Sequence, residues 1–152
     1  MIQALGEAPV SAHEADLRGV VHGGLEPSNV IVRAGRPAAT IVDFSHAVFA
    51  NDRMTATGSA AYISPEQAQG APLDGRSDFY ALGVILYELL CGELPFEGHQ
   101  HEPVIAPRMR APDRDIPKIA EDLCMWLLAK ERDARLPNAR VFAITIATEV
   151  SP

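Results

Sequence analysis

From Ser77 to Leu90 the sequence predicts a helix whose apolar residues wrap all sides of the helical wheel. A helix of that kind is stable only inside a domain or within lipid. The apolar stretch from Phe79 to Cys91 is interrupted by Glu88 and is too short to span a bilayer, so the core of a domain is its place. Gly92 and Pro95 end it.

The rest of the chain has to supply what covers that helix. At 152 residues and 47% hydrophobic it is long enough for one core, and a single domain is expected. Thirteen basic residues against twenty acidic ones give a net charge of -7, which repels phosphate backbones and anionic headgroups. Neither nucleic acid nor membrane is expected as a partner. Cys91 and Cys124 lie in apolar sequence without metal-ligand spacing and read as small buried hydrophobes, not as a disulfide or zinc site. That usage suits a reducing compartment, and no basic region followed by an apolar run marks a signal peptide, so a cytoplasmic location is expected. Arginine far outnumbers lysine and Ala and Pro are plentiful, which points to a GC-rich bacterial genome.

Residues 1–10, interrupted by Gly6 and Pro9, form an unassigned N-terminal segment. Ser11 and Glu14 make a capping box for a short helix to Leu17, ended by Gly19. The β-rich runs Val30–Arg33 and Thr40–Val42 flank turn residues at Ala34–Pro37 and predict a hairpin. From Asn51 to Gly75 no period is sustained, and a loop with one short helix after Pro65 is expected. Two more helices are read over Pro117–Lys130, with Ile119, Leu123, Trp126 and Leu127 at helical spacing, and over about Pro137–Glu149. His99, His101 and Glu102 read as a solvated loop, not a metal site. The fold class is mainly α with a small β-hairpin.

Five motifs carry a family resemblance. Gly19-Val-Val-His-Gly-Gly-Leu-Glu-Pro-Ser-Asn29 resembles the catalytic loop of protein kinases, usually GVVHRDLKPxN, and matches it at His22, Leu25, Pro27 and Asn29. Asp43-Phe-Ser45 stands at the place of the DFG motif. Thr57-Gly-Ser-Ala-Ala-Tyr-Ile-Ser-Pro-Glu-Gln67 resembles the end of an activation segment, with Ser59, Tyr62, Pro65 and Glu66 in register. Gly75 to Phe96 is similar to the family's central helix, with Asp78 as its anchor, and Leu128 to Arg135 resembles the closing motif. Singly these are weak, since Asp78 alone reads as a helix N-terminal acid and Glu66 and Arg135 alone as surface charges. Together, in order and spanning about residues 11–145, they resemble the C-terminal lobe of a eukaryotic-type serine/threonine protein kinase, of the bacterial kind, over residues 11–152.

The resemblance implies roles residue by residue. His22 is a packed scaffold histidine, Asn29 and Asp43 are residual magnesium positions, and Ile31 is the residue beneath an adenine ring. Phe44 packs toward a small-lobe helix, and Glu66 pairs with Arg135. The catalytic positions are degenerate: the loop arginine is Gly23, the aspartate that would accept the substrate proton is Gly24, and the phosphate-binding lysine is Glu26. Losing a general base alone costs about 10² to 10⁴ in rate. A carboxylate about 4 Å from a phosphate charge adds roughly 4 kcal/mol of repulsion at an effective dielectric near 20.

No glycine-rich phosphate loop or strand lysine precedes residue 11, so the expectation is a C-lobe without its N-terminal lobe, a truncated pseudokinase with no catalytic residue of its own. No cofactor is expected beyond weak residual magnesium, with ATP only if an N-lobe is supplied. A protein partner or homodimer is expected on the vacated N-lobe face, where Ile31 and Phe44 would meet water and Val42 and Val48 would widen the patch. The alternative is a piece of a serine/threonine kinase whose N-lobe is encoded upstream or joins in trans.

Overall fold

The computed structural model describes residues 19–34, 39–53, 59–96, 102–138 and 141. Strand β1 is Val20–Val21, β2 Val30–Val32, β3 Ala39–Ile41 and β4 Val48–Phe49. Helix α1 is Pro65–Ala68, α2 Gly75–Cys91, α3 Pro107–Arg110 and α4 Lys118–Leu127. Single 3-10 turns occupy Pro27–Asn29, Ala60–Tyr62 and Arg132–Ala134.

Helix α2 is the axis of the domain, and every residue from Ser77 to Tyr87 is buried. Its N-cap is Asp74, whose side chain accepts the Arg76 N–H at 2.9 Å. Its last turn closes on Gly92, at φ +82, whose N–H donates to the Glu88 carbonyl at 2.7 Å. Arg114 donates from Nη1 to the Leu90 carbonyl at 3.0 Å, satisfying an acceptor the helix leaves open.

Around α2 the core gathers Leu25, Ala39, Leu123, Cys124, Leu127 and Leu128. The buried stripe of α4 runs through Ala120, Leu123, Cys124 and Leu127, one face of a 3.6-residue period. Trp126, expected on that stripe, stands at its edge and is half exposed. Gly83 lets α4 approach closely: a Cβ there would lie 2.8 Å from Leu127 Cβ. Both cysteines are buried and free, and the Cys124 thiol lies 3.6 Å from the Gly83 carbonyl oxygen. Burial pushes that thiol well above its ordinary range.

The expected hairpin is β2–β3, antiparallel with Ile31 opposite Thr40. A second two-stranded sheet, β1–β4, pairs Val20 with Phe49 and Val21 with Val48. Among the described residues the small β content is thus two sheets, not one hairpin. Each strand of the second is two residues long, too short to carry a period in sequence, and its partner lies across the whole hairpin. The helix read over Pro117–Lys130 ends earlier, at Leu127, and α3 was not foreseen. Helix α1 starts from a capping box in which the Gln67 N–H donates to Ser64 Oγ and the Ser64 N–H to Gln67 Oε1. The helix expected over Ser11–Leu17, and His99 and His101, lie outside the described residues, as does nearly all of the helix expected over Pro137–Glu149. Asn138 Oδ1 accepts the Val141 N–H at 2.9 Å, the geometry of an N-cap. No helix among the described residues is long and apolar enough to cross a membrane.

Candidate functional site: the Gly19–Asn29 loop and its supports

The loop from Gly19 to Asn29 hangs from the first turns of α2. Asp78 is 4% exposed, and its carboxylate accepts the His22 N–H at 2.8 Å and the Gly23 N–H at 2.9 Å. A carboxylate this buried needs such donors. Gly23 sits at φ +74, a left-handed conformation open to glycine, where two successive amides converge on one acceptor. Its carbonyl accepts Gln67 Nε2 at 2.7 Å, so α1 also holds the loop.

His22 is buried between these supports. Its Nε2 donates to the Val42 carbonyl at 3.1 Å, and its Nδ1 accepts the Gly24 N–H at 3.4 Å, which assigns the proton to Nε2. The ring packs against Phe44 with centroids 4.7 Å apart. The same loop carries Asn29, whose Nδ2 donates to the Gly24 carbonyl at 2.9 Å and whose own carbonyl accepts the Val42 N–H at 2.9 Å. The loop and the Asp43 segment therefore lie side by side.

At the positions that would do chemistry the side chains differ. A Cβ added at Gly24 would meet His46 Cδ2 at 3.1 Å, so an exposed imidazole covers the place of an aspartate. The Glu26 carboxylate is held within the loop and toward the Thr57–Gln67 segment, accepting from Ser28 Oγ and from the Ser59 N–H at 3.4 Å. Between Gly23, Gly24, Glu26, Ser59, Tyr62 and Gln67 a crevice holds about 10 Å³ of free space, room for one water at most.

Asp43 is exposed at φ +63, and its Oδ1 accepts the Ser45 N–H at 3.2 Å. Hydrogen bonds from Ser45 hold its carboxyl below the ordinary aspartate value, with smaller help from His46 and His22. Asp43 and Asn29 can offer one carboxylate and one amide oxygen. That pair fits magnesium only where water or phosphates complete the shell. Among the described residues no cluster of three His, Cys, Asp or Glu side chains is placed to hold a metal. Ile31 on β2 is 40% exposed and Phe44 45%.

Below the loop, Glu66 and Arg135 form a buried bidentate pair, Nη1 to Oε1 at 2.6 Å and Nη2 to Oε2 at 2.9 Å. Arg135 spends its other N–H groups on the carbonyls of Ala129, Arg76 and Lys130, so all five donors are used. Ser77 Oγ adds a bond to Glu66 at 2.7 Å. Burial opposes ionisation of Glu66, but the bonds from Arg135 and Ser77 outweigh it and hold the carboxyl below its ordinary value.

The structure thus brings His22, Gly23, Gly24, Glu26, Asn29, Asp43, Phe44 and Asp78 together, with Ser59 joined through Glu26 and the Glu66–Arg135 pair one layer below. Sequence reasoning missed His46 and Gln67. The Ser64–Gln67 spacing is a readable capping signal. Nothing near His46 in sequence announces its contact with Gly24.

The family model for the protein kinase domain matches residues 12–144. The DNA damage-responsive serine/threonine-protein kinase RqkA of Deinococcus radiodurans is 36% identical over 158 residues, covering 93% of this chain and 23% of that protein. The probable serine/threonine-protein kinase PknB of Bifidobacterium longum is 33% identical over 144 residues, covering 86% of this chain and 21% of that one. This chain therefore spans less than a quarter of the length of either. Among solved structures, the Cydia pomonella granulovirus kinase PK-1 superimposes with a TM-score of 0.67 over 81% of this chain and 48% of its own, at 20% identity, a likeness of fold alone. Fold, motif order and family model agree: the chain belongs to the protein kinase family.

Proposed function

We propose that this kinase-like domain does not transfer phosphate and works as a regulatory module that binds another protein. The observation that carries the reading is the pair Gly24 and Glu26, where the loop has neither a carboxylate to accept a hydroxyl proton nor a cation to meet phosphate. The supports of the loop, by contrast, are complete in hydrogen bonds, from Asp78 through His22 to the Glu66–Arg135 pair. Scaffold kept with chemistry lost is the pattern of a domain retained for its surface. Both positions lie inside the chain, and their chemistry is the same whether or not a small lobe is joined to it.

The proposed binding face is the one bearing Ile31 and Phe44, both exposed, with Val42 and Val48 half-buried. Exposed apolar side chains grouped in this way mark an interaction surface. Its occupant is a second copy of the chain or another protein.

A second reading, a piece of an active serine/threonine kinase, is favoured by the names of the relatives and by the small share of their length that this chain spans. One assay can decide against the first reading. Purified protein with labelled ATP, magnesium or manganese and a basic protein substrate is expected to transfer nothing above blank. Incorporation by the unmodified chain that Asp43→Ala abolishes would overturn the first reading.

A further inference from the structure

Glu26 stands where the resemblance expects a phosphate-binding lysine, and Glu88 interrupts the apolar run of α2. Both carboxylates reach the same short element, the 3-10 turn Ala60–Tyr62. Its N-cap is Ser59, whose own side chain makes no capping bond. In a capping box the N–H of the N-cap residue is taken by a Glu or Gln at the third helical position. Here the third position is Tyr62, whose phenol instead donates to Glu88 Oε2 at 2.7 Å. The Ser59 N–H is left to Glu26 Oε2, at 3.4 Å and across 33 residues of sequence. Ser28 Oγ donates to the other oxygen, Oε1, at 2.5 Å, which fixes the direction of the carboxylate.

We propose that Glu26 is a latch that holds the start of the Ser59–Tyr62 turn on the Gly19–Asn29 loop, supplying from a distance the half of a capping box that the turn lacks. Glu88 holds the other end of the turn on α2. Between the two holds lies the crevice lined by Gly23, Gly24, Ser59 and Tyr62, with about 10 Å³ of free space, so the turn sits closed on the loop. Only an acceptor can serve at position 26. Lysine carries three donors and no acceptor, so the residue the family places there would give up the bonds from both the Ser59 N–H and Ser28 Oγ. The inverted charge at position 26 is on this account a contact of the fold as well as a lost contact with phosphate, and the latch rests on the reading that this position no longer meets phosphate.

The test is amide hydrogen exchange followed by NMR on isotope-labelled protein, with the Ser59 N–H read relative to the amides of α2, which report the global fold. Glu26→Lys should speed exchange at Ser59 about tenfold, the scale of one charge-assisted bond lost. Glu26→Gln keeps an amide oxygen as acceptor and should stay within about threefold of the wild type. Exchange at Ser59 that is less than about threefold faster in Glu26→Lys than in Glu26→Gln overturns the latch. The measurement contains no nucleotide, so a failed latch and a failed reading of the loop as unable to transfer phosphate are told apart by the two assays.

Discussion

Arg135 closes a ring of contacts on Glu66 across 69 residues of sequence, and its side chain is 0% exposed. It ties the segment after α4 to α1 and to the first turn of α2 through the Arg76 carbonyl. Truncating it would strand a buried carboxylate and three carbonyl oxygens. Arg135→Ala is expected to cost about 3–5 kcal/mol, the range for breaking a buried pair from one side. Urea denaturation measures this, and an unchanged midpoint would remove the pair from the account of stability.

The same pair sets an acid limit. The folded Glu66 carboxyl lies below its ordinary value of 4.5, so the folded state binds fewer protons there than the unfolded state. Stability from this group is present above about pH 4.5 and is lost as pH falls through the folded value. The wild type should lose stability on acidification below pH 4.5 more steeply than Glu66→Gln, measured by chemical denaturation at each pH.

Gly83 offers a test in which two effects oppose each other. Alanine in place of glycine inside α2 would gain about 1 kcal/mol from helix propensity. Its Cβ would press on Leu127 Cβ at 2.8 Å and on Leu128 Cγ at 3.1 Å, both held in the core. Overpacking of this kind costs about 1–3 kcal/mol, and the contact is with backbone-proximal atoms that have little room to move. Gly83→Ala should therefore lower the melting temperature. A higher one would mean that α2 and α4 are not so closely apposed.

These sites differ in how far they could be read in advance. Helix α2 was legible because apolar residues on every side leave no other place for it, and β2–β3 because two β-rich runs flank a turn. The β1–β4 sheet was not, since two-residue strands carry no pattern and their pairing is decided by the tertiary fold. The Asp78, Glu66 and Arg135 positions came from family resemblance, and composition could not have supplied them. The bond from Gln67 to the Gly23 carbonyl spans 44 residues, and the His46–Gly24 contact depends on the course of the turn after Asp43. Neither leaves a local trace in sequence.

Lys130 predicts a measurable alkaline effect. Its amine is lowered to about 8 from 10.5 in the folded protein, so between those values the unfolded chain binds more protons and stability from this residue rises with pH. Below pH 8 the folded state holds the Lys130 cation partly out of water and close to Arg135. Lys130→Met, which keeps contact with Phe96, should be more stable than wild type at pH 7, and the gap should narrow as pH rises through 8 to 10. A gap that is constant with pH would show that charge is not the cause.

The last prediction concerns the face bearing Ile31 and Phe44. Ile31 is 40% exposed and Phe44 45%. Water against these side chains costs about 25 cal/mol per Å² of apolar surface, a penalty that association relieves. We expect the purified chain to form a concentration-dependent dimer or to bind a hydrophobic-surface dye on this face. Ile31→Asp with Phe44→Ser should abolish both, because a carboxylate cannot be buried in an apolar contact without a partner. Phe44 also packs on His22, so Ile31→Asp alone, which leaves that contact in place, separates loss of the interface from loss of the fold. Light scattering after gel filtration gives the mass, and circular dichroism reports whether each variant stays folded. A wild type that is monomeric at every concentration and binds no dye would show that this face is not a docking surface.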